Sequence, residues 1–550
     1  MSDTARPGTT GPSGRAVPPE TIGGTGIDVH AATVSALGAA LAAGTLTSAA
    51  LTAFYLSRIE RVDPLLHAVL SVNPAALAEA EAADAARAAG ARPGPLAGIP
   101  VLIKDNIGVS GQPATAGSPA LAAAEQGDAF LVTRLRAAGA VVLGKANLSE
   151  WANFRSSHST SGWSTLGGQT ANPHALDRNP SGSSSGSAAA VAAGLAPLAV
   201  GTETDGSVVS PASACGVVGI KPTVGLISRS GVVPVSLAQD TAGPMACSVA
   251  DAAALLSALA GPDPADPATE RAAGQPPDYT AFLDPGALAG ARLGVWRDPV
   301  AAATPAVAAL LDTAVTLLRE AGADVTDPVE VPGADKVSEP EWAALKHEFK
   351  LGLNAYLRGL GGDHPADLAA VIEFNRARAA TVLARFGQDV FEQAEATSGD
   401  PADPGYLAAR AEASRLAAEA LGRPLAEHRL DAVITLTATP AWLTDYLLGD
   451  HGLFHTSGLA AVSGYPTVTV PAGGVAGLPV GLSFTGPAWS EPRLIALAHA
   501  FGHYAPARLV PALRASYDGP PANQAVSPAG SPAVSPAGTP AAAGASGTPR

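Results

Sequence analysis

Three short segments of this 550-residue chain carry side chains whose types and spacing can do nucleophilic chemistry. The first is Lys104-Asp105-Asn106, directly after the apolar run 98–103 (GIPVLI). The second is 180–187 (PSGSSSGS), which leads into an alanine-rich stretch. The third is 201–207 (GTETDGS), ending on Ser207 after the apolar run 198–201. A lysine just past a strand ordinarily sits in solvent. Here the preceding run is apolar on both faces, which sets Lys104 against the core. Only six of the 33 basic residues are lysines. Where arginine carries the surface charge, a retained lysine points to lysine chemistry. A desolvated lysine can lose its proton and act as a base, which arginine cannot.

A strand that ends in TETDGS gives a tight loop with several adjacent N–H groups, the preorganised donors that a developing oxyanion needs. A serine at the end of that loop is a nucleophile if a base is near, and an ordinary polar turn if not. The serine-rich segment reads as a flexible linker or as a helix start whose free N–H groups carry partial positive charge. It also contains G-x-S-x-G with Ser184 at its centre. That motif needs a strand before it, and 174–181 (HALDRNPS) does not read as one. No lysine lies three residues after a serine, so S-x-x-K is absent.

The elements that must position these segments alternate along the chain. Residues 47–62 predict an amphipathic helix with a Thr cap, 75–89 and 129–138 two more, and 98–103 and 140–144 buried strands. Residues 188–193 predict a helix after the serines. Strands alternating with helices argue for an α/β fold, a single large domain with a mixed sheet covered by helices on both faces. Residues 263–429 read as sheet edge plus a helical cap over the substrate cleft, with strand-like runs returning in 430–501. The body is set at 27–517. The Pro/Gly/Ser/Thr-rich tail 1–26 and the Pro/Ala/Gly/Ser-rich tail 518–550 are expected to be disordered.

Composition narrows the functional classes. A formal charge of −15 repels phosphate backbones and argues against nucleic-acid binding. Two cysteines, Cys215 and Cys247, cannot build a disulfide framework or a four-ligand zinc site. No leader-like apolar run follows the N-terminal charges and no run is long enough to span a bilayer, so a cytoplasmic protein with no membrane partner is expected. Cys215 is expected to pack in the core, His158 and His174 to be polar or packing residues, and Asp251 to lie on a solvated helix face.

The three segments, in this order, resemble the amidase signature family. The resemblance rests on KDN at Lys104, PSGSSSGS at Pro180, TETDGSVVSP at Thr202 and CGVVGIKPT at Cys215. GKANLSE, GGQTANP, QDTAGPM, GYPTVTVPAG and GLPVGLSFTG agree as well. It implies a catalytic triad of Lys104, Ser183 and Ser207, with Ser207 the nucleophile and Ser183, after a cis peptide, the bridge. It implies an oxyanion hole from the N–H groups of Thr204, Asp205, Gly206 and Ser207, no cofactor and no metal. Asn153 and Phe154 fall where the family's substrate-facing loop lies. Two positions depart from the pattern: Asp205 replaces a glycine, and Val209 replaces an arginine. Both are similar to the peptide amidase branch, which implies removal of C-terminal peptide amides with release of ammonia by a monomer or homodimer. The alternatives are a small-molecule aliphatic or aryl amidase, the transamidating subunit of a tRNA-dependent amidotransferase, and a scaffold without activity.

Overall fold

The computed structural model describes residues 20–92 and 94–517. Eleven strands form one sheet: β1 (Val69–Val72), β2 (Pro100–Lys104), β3 (Val141–Ala146), β4 (Leu198–Glu203), β5 (Val218–Lys221), β6 (Thr241–Ala246), β7 (Arg292–Val295), β8 (Asp324–Thr326), β9 (Ala432–Leu436), β10 (Thr467–Val475) and β11 (Leu478–Thr485). Their order across the sheet is β1-β3-β2-β4-β6-β5-β10-β11-β9-β7-β8. β2 is parallel to both β3 and β4, β4 is antiparallel to β6, and β7 is parallel to β8 and β9, so the sheet is mixed. Every residue of β2, β3, β4 and β6 is buried, because helices cover both faces.

The local readings hold to within a few residues. Thr47 caps the helix Ser48–Val62, its hydroxyl accepting from the Ala50 N–H. The helix in the serine segment, α1 (Ser185–Ala192), begins three residues before the predicted stretch and is buried along its whole length. Gly186 makes that possible. A Cβ there would lie 2.2 Å from the Ala68 carbonyl oxygen and 2.5 Å from that of Asn147. Neither backbone can yield cheaply, so Gly186→Ala is expected to destabilise the fold by about 1–3 kcal/mol. A denaturant midpoint equal to the parent's would contradict this.

Two expectations change. Asp251 is buried rather than solvated, because its carboxylate accepts from the Val34 N–H and the Ser248 hydroxyl and so joins two helix starts. Of the expected tail 1–26, residues 20–26 are described and anchored at two points: Ile22 is fully buried, and Glu20 pairs with Arg58 and Arg61. Residues 1–19 and 518–550 lie outside the described residues.

Within 263–429, β7 and β8 with the helix Pro305–Glu320 build one edge of the sheet. Beyond them come α3 (Ser338–Arg358), α4 (Leu368–Ala377), α5 (Asp389–Glu395) and α6 (Pro404–Glu427). The first three close over a second apolar cluster in which Leu345, Phe349, Val371 and Phe391 meet Trp151 and Phe154. α6 uses a third cluster, Ala413, Ala417 and Leu421 against Trp296 and Val433. The cap is thus held to the sheet by apolar contacts on both of its sides, and the helices of the second cluster pack on the segments that follow β2 and β3. Among the described residues no helix is long and apolar enough to cross a membrane.

Candidate active site

Lys104 is the last residue of β2 and is fully buried. Its Nζ lies 2.7 Å from Ser183 Oγ, 2.8 Å from Thr202 Oγ1 and 3.1 Å from the Thr202 carbonyl oxygen. β2 and β4 are neighbouring parallel strands, so Lys104 at the end of one meets Thr202 near the end of the other. Asn106 Nδ2 also donates to Thr202 Oγ1, at 2.9 Å. No carboxylate forms an ion pair with Lys104 among the described residues. Burial therefore dominates and pushes its ammonium down to about 7, against weaker opposing pulls from Asp240 and Glu203. Lys145 and Lys221 are buried too, but Lys145 pairs with Asp105, and Lys221 donates to the carbonyls of Tyr465 and Pro222. Three of the six lysines are thus fully buried, in keeping with the low lysine content.

Three oxygens surround Lys104 Nζ, a set that an ammonium satisfies with three N–H groups and a neutral amine with two N–H groups and one accepted hydroxyl proton. A carbonyl can only accept, so one N–H points at Thr202 O. A second goes to the Thr202 hydroxyl. The third contact, to Ser183 Oγ, is a donated N–H when Nζ is charged and is the place where a neutral Nζ can take the Ser183 hydroxyl proton. Ser183 is fully buried, and the Gly182–Ser183 peptide is cis. The Ser183 carbonyl accepts from the Ser149 N–H at 3.1 Å, which ties this loop to the end of β3. The neighbouring Ser184 is locked away. Its hydroxyl donates to Thr202 O at 3.0 Å and accepts from Thr202 N at 3.1 Å, and no strand precedes it. The G-x-S-x-G likeness therefore carries no chemistry here.

Ser207 follows β4 and precedes α2 (Val209–Cys215). It is 7% exposed, and its carbonyl accepts from the Ser184 N–H at 3.1 Å, so the two serine loops are bonded together. The turn between β4 and α2 is closed by Glu203. Its carboxylate accepts from Val208 N at 2.8 Å and Val209 N at 3.0 Å. Gly206 has φ +77° and a Cβ there would lie 2.7 Å from Ser457 Oγ, so only glycine fits that step of the turn. Between the strand and the closed turn, the N–H groups of Thr204, Asp205, Gly206 and Ser207 have no acceptor among the described residues. Four successive free donors beside a serine are the arrangement that receives a negatively charged oxygen.

The rest of the loop is pinned from outside. Thr204 Oγ1 donates to Asp240 at 2.5 Å, and burial raises the Asp240 carboxyl to about 6. Ser457 Oγ donates to Asp205 at 2.5 Å. Val209 is buried in α2. Phe154 is 4% exposed and lies between Trp342, which it meets edge-on, and Phe349, which it meets at a tilt, while the ring of this group that reaches solvent is Trp342 at 39%. Asn153 sits at φ +69°, third in a left-handed run with Trp151 and Ala152, and donates to Ser161 Oγ at 2.9 Å. His174 is buried against the Cys215 carbonyl, and Cys215 is itself buried, both as expected of packing residues. The residue pattern assigns no role to Thr202, Glu203, Asp240 or Ser457. Gln239 and Asp240 fall inside the QDTAGPM motif, which is the one signal in the sequence that points to them.

Comparison with known proteins agrees with this geometry. The family model described as Amidase matches residues 50–495. A probable amidase of Arabidopsis thaliana is 42% identical over 86% of this chain and 90% of its own. A glutamyl-tRNA(Gln) amidotransferase component of Chloroflexus aggregans is 36% identical over 86% and 96%. The crystal structure of the native peptide amidase from Stenotrophomonas maltophilia superposes with a TM-score of 0.83 at 50% identity, covering 87% of this chain and 98% of that one.

Proposed function

The chain belongs to the amidase family and hydrolyses the carbon–nitrogen bond of linear amides, and from that premise we propose that its substrates are peptides carrying a C-terminal amide. Ser207 is the nucleophile, Ser183 the proton bridge and Lys104 the base. The observation that carries this reading is the unpaired, buried Lys104 at 2.7 Å from Ser183 Oγ. Neutral Lys104 takes the Ser183 proton as Ser183 takes that of Ser207 and Ser207 Oγ attacks the amide carbon. The free N–H groups from Thr204 to Ser207 receive the oxyanion. The proton then returns through Ser183 to the nitrogen, which leaves as ammonia. Water opens the acyl-enzyme by the same relay, and the product is the peptide acid.

Two things favour peptide amides over other amides. A solved structure at 50% identity is a peptide amidase, against 36% for the amidotransferase component. The nucleophile loop also carries Asp205, fixed by Ser457, and Val209, which puts an acid where a free carboxylate on a substrate would be repelled. A blocked C-terminus has no such charge. The test is ammonia release by the purified chain from a panel of peptide amides, internal peptide bonds and simple aliphatic and aryl carboxamides, with Ser207→Ala as control. Peptide amides should react fastest, with internal bonds untouched. Turnover of the simple carboxamides alone would sink the peptide reading, and turnover only with added partner proteins and charged tRNA would favour the amidotransferase.

A further inference from the structure

The cap reaches the nucleophile loop through one side-chain amide. Gln239 is fully buried. Its Nε2 lies 3.2 Å from the Thr204 carbonyl oxygen and 2.8 Å from Glu341 Oε1 on α3. Its Oε1 accepts from Arg410 Nη1 on α6 at 2.7 Å. Thr204 opens the run of four free N–H groups, so both inner cap helices are bonded to that run through Gln239. The charges nearby do not balance. Arg410 is engaged by Glu348 through two bonds of 2.6 and 2.5 Å, and Ser236 donates to the same carboxylate. Glu341 and Asp205 have no cation partner among the described ion pairs.

We propose that Glu341 is a positioning residue for amide hydrolysis, acting through Gln239 to hold the Thr204 carbonyl and with it the N–H groups from Thr204 to Ser207. The inference rests on the reading of Ser207 and Lys104 given above. Both hydrogens of the Gln239 amide are committed, one to Thr204 and one to Glu341, so the orientation of the loop depends on what Glu341 accepts. The protonation state matters because Glu341 is 6% exposed and close to Asp205. Burial first, and then the Asp205 charge, raise the Glu341 carboxyl to about 8. The groups that face it are Asp205 on the loop, Gln239, Arg410 on α6 and Glu348 on its own helix. Ionisation of Glu341 through about pH 8 adds a negative charge beside the loop, near where an oxyanion must form. Turnover therefore falls as Glu341 ionises, on the side opposite to the rise caused by Lys104.

The experiment is the pH dependence of kcat/KM and kcat for the full chain on a peptide amide, from about pH 5 to about pH 10, for the parent, E341Q, E341A and D205N. The parent should show a falling limb near the Glu341 value. E341Q should lose that limb and keep the rising one. E341A should lower kcat about tenfold to a hundredfold with little change in KM, since it removes the acceptor that orients Gln239. D205N should move the falling limb to lower pH, because the charge that raises Glu341 is gone. The proposal is overturned if E341Q declines in parallel with the parent, which would assign the limb to Lys221, itself pushed down to about 8 by burial. It is equally overturned if E341A keeps the parent kcat or D205N leaves the limb in place. An absent rising limb or an active Ser207→Ala would instead refute the Ser207–Lys104 reading, and the E341Q comparison still reads the falling limb by itself.

Discussion

Ser207→Ala is expected to lower amide turnover by about four orders of magnitude or more, with the fold intact. The change deletes one oxygen atom from a residue whose structural bonds are made by its backbone: the Ser207 carbonyl accepts from Ser184 N, and that bond survives in alanine. The hydroxyl itself has no partner among the described residues, so its loss leaves no buried group unsatisfied. Ser184→Ala is the informative contrast. Its hydroxyl bonds both the N–H and the carbonyl of Thr202, so its loss should be felt as stability and as a loosened Lys104 site rather than as abolished chemistry. Circular dichroism and ammonia release, measured on both variants, separate the two effects. Turnover within tenfold of the parent in Ser207→Ala would remove Ser207 from the mechanism. Trapping of the acyl group on added hydroxylamine should disappear in the same variant.

Lys104→Arg is the second large effect, with turnover expected to fall by about 10²–10⁴. Arginine keeps its proton at every working pH, and its planar head does not reproduce the three contacts that Lys104 Nζ makes with Ser183 and Thr202. The parent's own pH profile tests the same claim. A lysine lowered to about 7 is protonated below that value and neutral above it, so kcat/KM should rise with pH through about 7 and then level off until Glu341 intervenes. The linkage to stability has the same direction. The unfolded chain binds the Lys104 proton up to the usual lysine range while the folded chain releases it near 7, so this site favours the folded state increasingly as pH rises between those two values. Lys104→Met should therefore be inactive and, near pH 6, no less resistant to denaturant than the parent. A profile flat from about pH 5 to about pH 8, or an active Lys104→Arg, would refute the base.

Legibility differs between the site's two halves. Lys104, Ser183 and Ser207 lie in segments whose residue types are unusual in themselves, and their ordered likeness to one family joins them without reference to the fold. The burial of Lys104 is readable too, because GIPVLI is apolar on both faces and such a strand ends inside the protein. The second half is not readable. Glu341 and Arg410 lie on long amphipathic helices where acids and arginines usually face water, and each reaches Gln239 across a separation of 102 and 171 residues. Asp251 misleads in the same way: an acid in the first turn of a helix looks solvated until Val34, 217 residues away in the chain, is found donating to it.

The sequence by itself determined the family, the α/β framework and the candidate carriers of the chemistry: a serine after a glycine-containing turn and a lysine at the end of an apolar strand. Local properties, namely side-chain type and apolar runs, make a nucleophile and a desolvated lysine plausible, and the ordered likeness to one family joins Lys104, Ser183 and Ser207. Tertiary structure alone showed what occupies Ser184, whose hydroxyl is bonded to both backbone groups of Thr202 because β4 runs beside it. It also decided the charge state of the site. The Lys104 and Glu341 values are set by how much water the packed chain excludes and by which charges it leaves unpaired, and neither quantity exists until strands and cap helices distant in sequence close around them.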